Sequence, residues 1–287
     1  MQWLSQLFKR HKPQIPEALW LSCTARLPFL RRLTPADLLG LKILAEQFLA
    51  AKTITGVRGL AMTDEIAVLI AAQASLPVLN LTPDLYQEMG GVVVYPSAFI
   101  VNQKQMDAAG VLHEWREELA GEAFHGDGPV VLSWQDMDNT RDFRGGHNVV
   151  IHEFAHKIDM GRGGANGCPP FLAAYHGGMQ VAVWSRAFAA AYRDFCRRVD
   201  ALERRFADDV DVDDPDQPAL YDHDRQFVRD RQFAPLPMDG YAATNAAEFF
   251  AVASEAFFVK PQPLAADYPE VYRLLALYYR QDPLRQA

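Results

Sequence analysis

The chain has 287 residues, 49% of them hydrophobic and 22% charged, with a formal net charge of −8; this is the composition of an ordinary globular protein able to bury its own core. The acidic balance excludes an electrostatic footprint for direct nucleic-acid binding, and no apolar run reaches the roughly 20 residues of a membrane-spanning helix. Cys23, Cys168 and Cys196 are odd in number and widely spaced, which excludes a disulfide framework and fits reduced thiols in a cytoplasmic protein.

In chain order, residues 1–12 place their basic side chains after a short apolar run, the reverse of a secretory signal. Thr34 and Pro35 then supply a cap and a first-turn proline for a helix over 38–51, with Leu39, Leu41, Ile43, Leu44, Phe48 and Leu49 on its apolar side. A second helix is expected over 64–72. The runs 92–95 and 130–134 read as strands, with 111–119 a third between them and 126–129 a turn. The run His113-Glu114-Trp115-Arg116-Glu117 mimics a metal motif but ends in glutamate and reads as surface. His125, His147 and His176 are other candidate site residues, with solvated or core histidines the favoured alternative.

The most informative stretch is His152-Glu153-Phe154-Ala155-His156. Val149, Val150 and Ile151 lead into it, Phe154, Ala155 and Ile158 continue an apolar helical period, Gly145, Gly146 and Asn148 mark a start, and Gly161, Gly163 and Gly164 mark a stop. Residues four apart on a helix stack roughly 6 Å apart on one face, so the two imidazoles can share one zinc ion. Glu153 stands about 100° around the helix from His152, which suits proton transfer to and from a metal-held water better than ligation. Asp159, three residues after His156, is positioned to accept the second ring N–H of a ligand histidine and fix its tautomer.

Zinc needs a third protein ligand. The pattern that adds a glycine and a third histidine fails, because Asp159 and Arg162 occupy those positions. After a helix over 182–205 comes the segment 207–237, rich in aspartate and proline, which reads as a solvated acidic loop or a cover for the cleft. The helix over 245–258 follows, alanine- and phenylalanine-rich and carrying only Glu248 and Glu255 as charges. Buried carboxylates want a cation. The two lie two turns apart on one face, so one can bind metal while the other orients a ligand histidine; Glu248 is favoured as the ligand. A last helix spans 268–280. The whole is expected to be one domain, with a helical part over about 1–85 and an active-site part over about 86–287. It is an α+β arrangement, mainly helical, with a small sheet beside the motif helix.

The run 146–159 and the run 239–255, with Tyr241-Ala242-Ala243 ahead of Glu248, resemble the bacterial Mlc titration factor A family of zinc peptidases. The likeness extends to residues 70–80, 93–99, 128–134 and 278–284, and so covers most of the chain; the segment 207–237 departs from it by its length. The resemblance implies a zincin-like, gluzincin-type fold with a catalytic core similar to that of anthrax lethal factor. It implies one zinc ion per chain on His152, His156 and Glu248, with Glu153 as catalytic base and Tyr241 as donor to the developing oxyanion. Aminopeptidase-like cleavage of peptide substrates is the activity implied. The family is also similar in sequestering a sugar-responsive transcriptional repressor of the Mlc type, so the alternative is a non-catalytic repressor-binding protein with a vestigial or structural zinc site.

Overall fold

The computed structural model describes residues 14–97, 99–106, 112–119, 121–123, 127–139, 146–209 and 233–285. The first helices are α1 (Glu17–Ala25) and α2 (Pro35–Ala51). α2 begins where the sequence says it should: Thr34 Oγ1 accepts the Asp37 N–H, and the Asp37 carboxylate accepts the Thr34 N–H in return. Its buried face is Leu41, Ala45 and Phe48, spaced four and three apart, with Leu49 beside them. Leu39 and Ile43, expected on that face, are 61% and 46% exposed. Six apolar residues in eleven positions cannot share one stripe, and these two fall on the opposite side of the helix.

After the short strand β1 (Ile54–Gly56) comes α3 (Asp64–Ser75), capped by Thr63 and buried from Ile66 to its end. It runs three residues past the expected 64–72, because Gln73, although polar, is accommodated in the core. The strands β2 (Val92–Tyr95), β5 (Gly121–Ala123) and β6 (Val130–Ser133) complete a sheet of order β1-β2-β6-β5. β1, β2 and β6 are parallel, in register Ile54 to Val92 and Val92 to Val130, while β5 runs antiparallel to β6. The valine-rich strands suit a sheet covered by helices. The expected third strand is β4 (Leu112–Leu119), but it pairs antiparallel with β3 (Phe99–Met106) in a separate two-stranded sheet. Position 111 and residue 126 of the expected turn lie outside the described residues. Trp134 opens the short helix α4 (Trp134–Asn139) rather than ending β6.

The motif helix α5 (Val149–Asp159) packs against β5 and β6 on one side and against α3 and α7 (Ala246–Val259) on others. Its apolar stripe, Val150, Ile151, Phe154, Ala155 and Ile158, is buried. The Phe154 ring meets Phe48 and Tyr86 edge-on, with centroids 5.5 and 5.0 Å apart, and its burial contributes about 1.5–3 kcal/mol. α6 (Val181–Asp209), α8 (Pro261–Asp267) and α9 (Pro269–Tyr279) close the far side of α7 through an aromatic cluster that includes Trp184, Phe188, Phe249 and Phe250. The architecture is α+β and mainly helical. Among the described residues no helix is long and apolar enough to cross a membrane.

Candidate metal centre

Two capped helices bring the donor atoms together. At the start of α5, the Asn148 side chain accepts the Ile151 N–H at 2.9 Å. At the start of α7, the Asn245 side chain accepts the Glu248 N–H at 3.0 Å, so Glu248 lies in the first turn and faces α5. His152 Nε2 lies 3.1 Å from His156 Nε2 and 3.1 Å from Glu248 Oε2, and His156 Nε2 lies 3.2 Å from the same oxygen. Among the described residues these three form the group able to offer one ligand atom each to a single ion.

With His152 neutral, hydrogen bonding leaves this triangle unsatisfied. His152 Nδ1–H donates to Glu255 Oε1 at 2.6 Å, so in the neutral ring Nε2 presents a lone pair towards its two neighbours. A divalent cation satisfies all three atoms together. Four donors arranged tetrahedrally at the zinc distance of about 2.0 Å stand about 3.3 Å apart, close to the spacing found here, so the donor set fits zinc.

Glu255 does more than hold His152. Its second oxygen, Oε2, accepts the Asn148 N–H at 2.6 Å, and Asn148 Nδ2 donates to Gln73 Oε1 at 2.8 Å. One buried carboxylate thus joins His152, the cap of α5 and, through Asn148, the buried helix α3. Asn148 was expected to mark the start of the motif helix and does so, while Gln73 was not singled out from sequence. The signal for Gln73 is a polar residue in the apolar run of α3, which must find a partner once buried.

Glu153 is 3% exposed, and its Oε2 has no hydrogen-bond partner. Burial pushes its carboxyl up to about 7, against the opposing pull of His152 and His156. When no cation is bound, burial disfavours the charged form of His152, but Glu255 and Glu248 outweigh it and raise its pKa well above the ordinary histidine range. Glu248 moves the other way: burial would raise it, yet hydrogen bonds from the two histidines draw it down to about 2. One turn beyond Glu153, Lys157 Nζ donates to Gly128 O at 3.0 Å and ties α5 to the loop before β6.

Tyr241 lies on a single 3-10 turn, Gly240–Ala243, with its ring 6.2 Å from the His152 ring and 47% of its surface exposed. Asp159 spends Oδ2 on the N–H groups of Asn166 and Gly167, both at 2.7 Å. Its Oδ1 and His156 Nδ1 are buried without hydrogen-bond partners, so the ring hydrogen bond expected from Asp159 is not made here. Asp159 instead holds a loop that braces α7. Gly167, at φ +80°, sits where an added Cβ would be 2.4 Å from Ala246 O, and Trp184 Nε1 donates to Gly167 O at 2.8 Å.

Among the described residues, His147 and His176 fall apart from the triangle. His176 is a core residue, accepting the Leu172 N–H on Nδ1, donating from Nε2 to Tyr278 O, and stacked on the Tyr278 ring. His147 Nε2 pairs with Asp239 Oδ2 at 3.1 Å. The run 113–117 lies on strand β4, not on a helix, while His125 and residues 210–232 of the acidic segment lie outside the described residues.

The sequence profile of the glucose-regulated metallo-peptidase M90 family matches residues 2–280. Among curated relatives, Mlc titration factor A of Serratia proteamaculans (strain 568) is 32% identical over 279 residues, covering 96% of this chain and 92% of that protein. The protein of the same name from Yersinia pestis (strain Pestoides F) is 33% identical over 279 residues, covering 97% and 90%. That of Yersinia pseudotuberculosis serotype O:1b (strain IP 31758) matches to the same extent, 33% over 279 residues. A family profile and full-length relatives thus meet on the segments that carry the donor triangle, and the chain belongs to the glucose-regulated metallo-peptidase M90 family, as a relative of the Mlc titration factor A proteins.

Proposed function

We propose that this chain is a zinc-dependent peptidase in which His152, His156 and Glu248 hold one ion and Glu153 is the general base. The observation that carries the reading is the triangle of donor atoms at 3.1–3.2 Å, two of them one helical turn apart, with a buried, unpartnered carboxylate beside them. A bound zinc ion supplies a lowered water pKa and polarises a substrate carbonyl. Glu153, with its carboxyl near 7, takes the proton from the attacking water on Oε2 and passes it to the leaving amine. The Tyr241 hydroxyl donates to the developing oxyanion. Glu255 holds the Nδ1–H of His152, so Nε2 is the nitrogen that binds once its own proton has left. The finer assignment is aminopeptidase-like cleavage of peptides. It is tested by offering the zinc-loaded chain matched peptides with free and acetylated N-termini. Cleavage of the free form alone supports it, cleavage of both makes the chain an endopeptidase, and cleavage of neither sinks the peptidase reading.

Glu255→Gln keeps the shape of the side chain but turns an amide NH2 towards one of two N–H donors. Zinc affinity, measured by competition with a chromophoric chelator, should fall about 10- to 100-fold. An unchanged affinity would make the His152–Glu255 bond irrelevant to the metal.

Zinc binding should also depend on pH in a defined direction. A pKa raised above its ordinary range means that metal-free His152 still carries its second proton at neutral pH, and that proton must leave before Nε2 can bind. Affinity should therefore drop as pH falls below the raised His152 pKa, and proton release should be seen calorimetrically in buffers of different ionisation enthalpy. Binding without proton release at pH 7 would contradict this.

The relatives' name supports a second reading, in which this chain binds a transcriptional repressor of the Mlc type, with or without catalysis. Co-purification of such a repressor with wild type and Glu153→Gln alike would separate binding from cleavage. We further read residues 1–287 as one domain of a cytoplasmic protein. The support is a single apolar cluster among the described residues, from Ile15 to Tyr279, and the free thiols of Cys23, Cys168 and Cys196.

A further inference from the structure

We propose that Asp239 and His147 form a clamp that sets Tyr241 over the metal centre, an inference that rests on the reading of Tyr241 as oxyanion donor. Asp239 bridges two segments of the site. Its Oδ1 accepts the Tyr241 N–H at 2.6 Å, and its Oδ2 lies 3.1 Å from His147 Nε2. His147 directly precedes Asn148, the cap of α5, whose own N–H is fixed by Glu255. The turn carrying Tyr241 is therefore tied at its start to the N-terminus of the helix that carries His152, Glu153 and His156. Its other end is tied to α6, where the Tyr192 hydroxyl donates to Ala243 O at 3.1 Å. The Tyr241 side chain is half exposed, and the backbone of this turn fixes where it leaves the chain.

A different origin for the pair would be surface stabilisation. The side chains of His147 and Asp239 are 57% and 36% exposed, and polar side-chain pairs so exposed add little to folding. A clamp and a stabilising pair therefore differ in what they move. His147 and Asp239 act through Tyr241 and are positioning residues. They touch neither the donor triangle nor, in this assignment, the substrate.

The test uses full-length chain with His147→Ala and His147→Gln, each in the native and the Tyr241→Phe background. In the native background His147→Ala should lower kcat of the zinc-loaded chain about 10-fold with KM little changed, since misplacement of a catalytic group by about 1 Å can cost up to 100-fold. Zinc content and Tm should stay as in wild type, and His147→Gln, whose amide can still donate to Asp239, should restore most of the loss. In Tyr241→Phe the same His147→Ala change should cost nothing further. Amide hydrogen exchange over residues 241–244 should quicken in His147→Ala, with or without zinc. Unchanged exchange, or an equal kcat loss in the Tyr241→Phe background, overturns the clamp. If zinc-loaded wild type cleaves no peptide, or Tyr241→Phe keeps full kcat, the functional reading fails instead, and the exchange result alone decides whether Asp239 and His147 hold the turn.

Discussion

Replacing Glu153 by Gln should leave zinc content unchanged and lower kcat by about 100- to 10,000-fold, the range that a positioned general base supplies. The carboxylate is not one of the three donor atoms that face each other at 3.1–3.2 Å, so its loss removes no ligand. It is buried, one of its oxygens has no partner, and its carboxyl is held near 7, where a base is both available and strong enough to take a proton at neutral pH. Glutamine has nearly the same volume, so packing around Phe154 and Ala155 should survive. Peptidase kinetics and elemental analysis on the same samples check both halves. A variant that keeps wild-type kcat would remove Glu153 from the mechanism, and one that loses its zinc would make Glu153 a ligand.

Glu248→Ala should abolish tight zinc binding and, with it, activity. Among the described residues the side chain gives the one carboxylate oxygen within hydrogen-bond distance of both Nε2 atoms, and Glu255 cannot take its place: one of its oxygens is engaged by His152 Nδ1 and the other by the Asn148 N–H. Two histidines alone leave the ion with half of a tetrahedral set. The loss should appear in thermal stability as well. A ligand present at 100 times its Kd stabilises the folded state by about 2.7 kcal/mol, so added zinc should raise the Tm of wild type by several degrees and leave that of Glu248→Ala where it was. A zinc-dependent Tm shift in the variant equal to that of wild type would place the third ligand elsewhere.

What was legible in the chain, and what was not, follows from the range over which each feature is determined. The motif helix reads directly, because a 3.6-residue period, an Asn cap and a run of glycines are local signals. α2 reads correctly in extent for the same reason, yet its inward face does not. Leu39 and Ile43 are as apolar as Leu41 and Phe48, and only the placement of α3 decides which side is covered. β1 and β5, three residues each, are too short to show a period, and the pairing of β4 with β3 rather than with the main sheet is a long-range choice. The division of work between Glu248 and Glu255 lies beyond sequence too. They occupy one face of α7 two turns apart, and it is the packing of α7 on α5 that sets Glu248 against the Nε2 atoms and Glu255 against Nδ1. Asp159 shows the converse. Its position three residues after His156 fits a ring hydrogen bond, but the Asn166–Gly167 backbone competes for the carboxylate and takes one oxygen. Asp239 carried a readable signal, an aspartate two residues before Tyr241 in an Asx-type turn.

The most direct test of the account is a titration of metal-free wild-type chain with zinc, followed by gel filtration and elemental analysis. The donor triangle of His152, His156 and Glu248 predicts saturation at one ion per chain, retained through the column. A chain that holds no zinc after the column, or holds it equally well with both His152 and His156 replaced by alanine, would contradict the metal centre on which the functional reading stands.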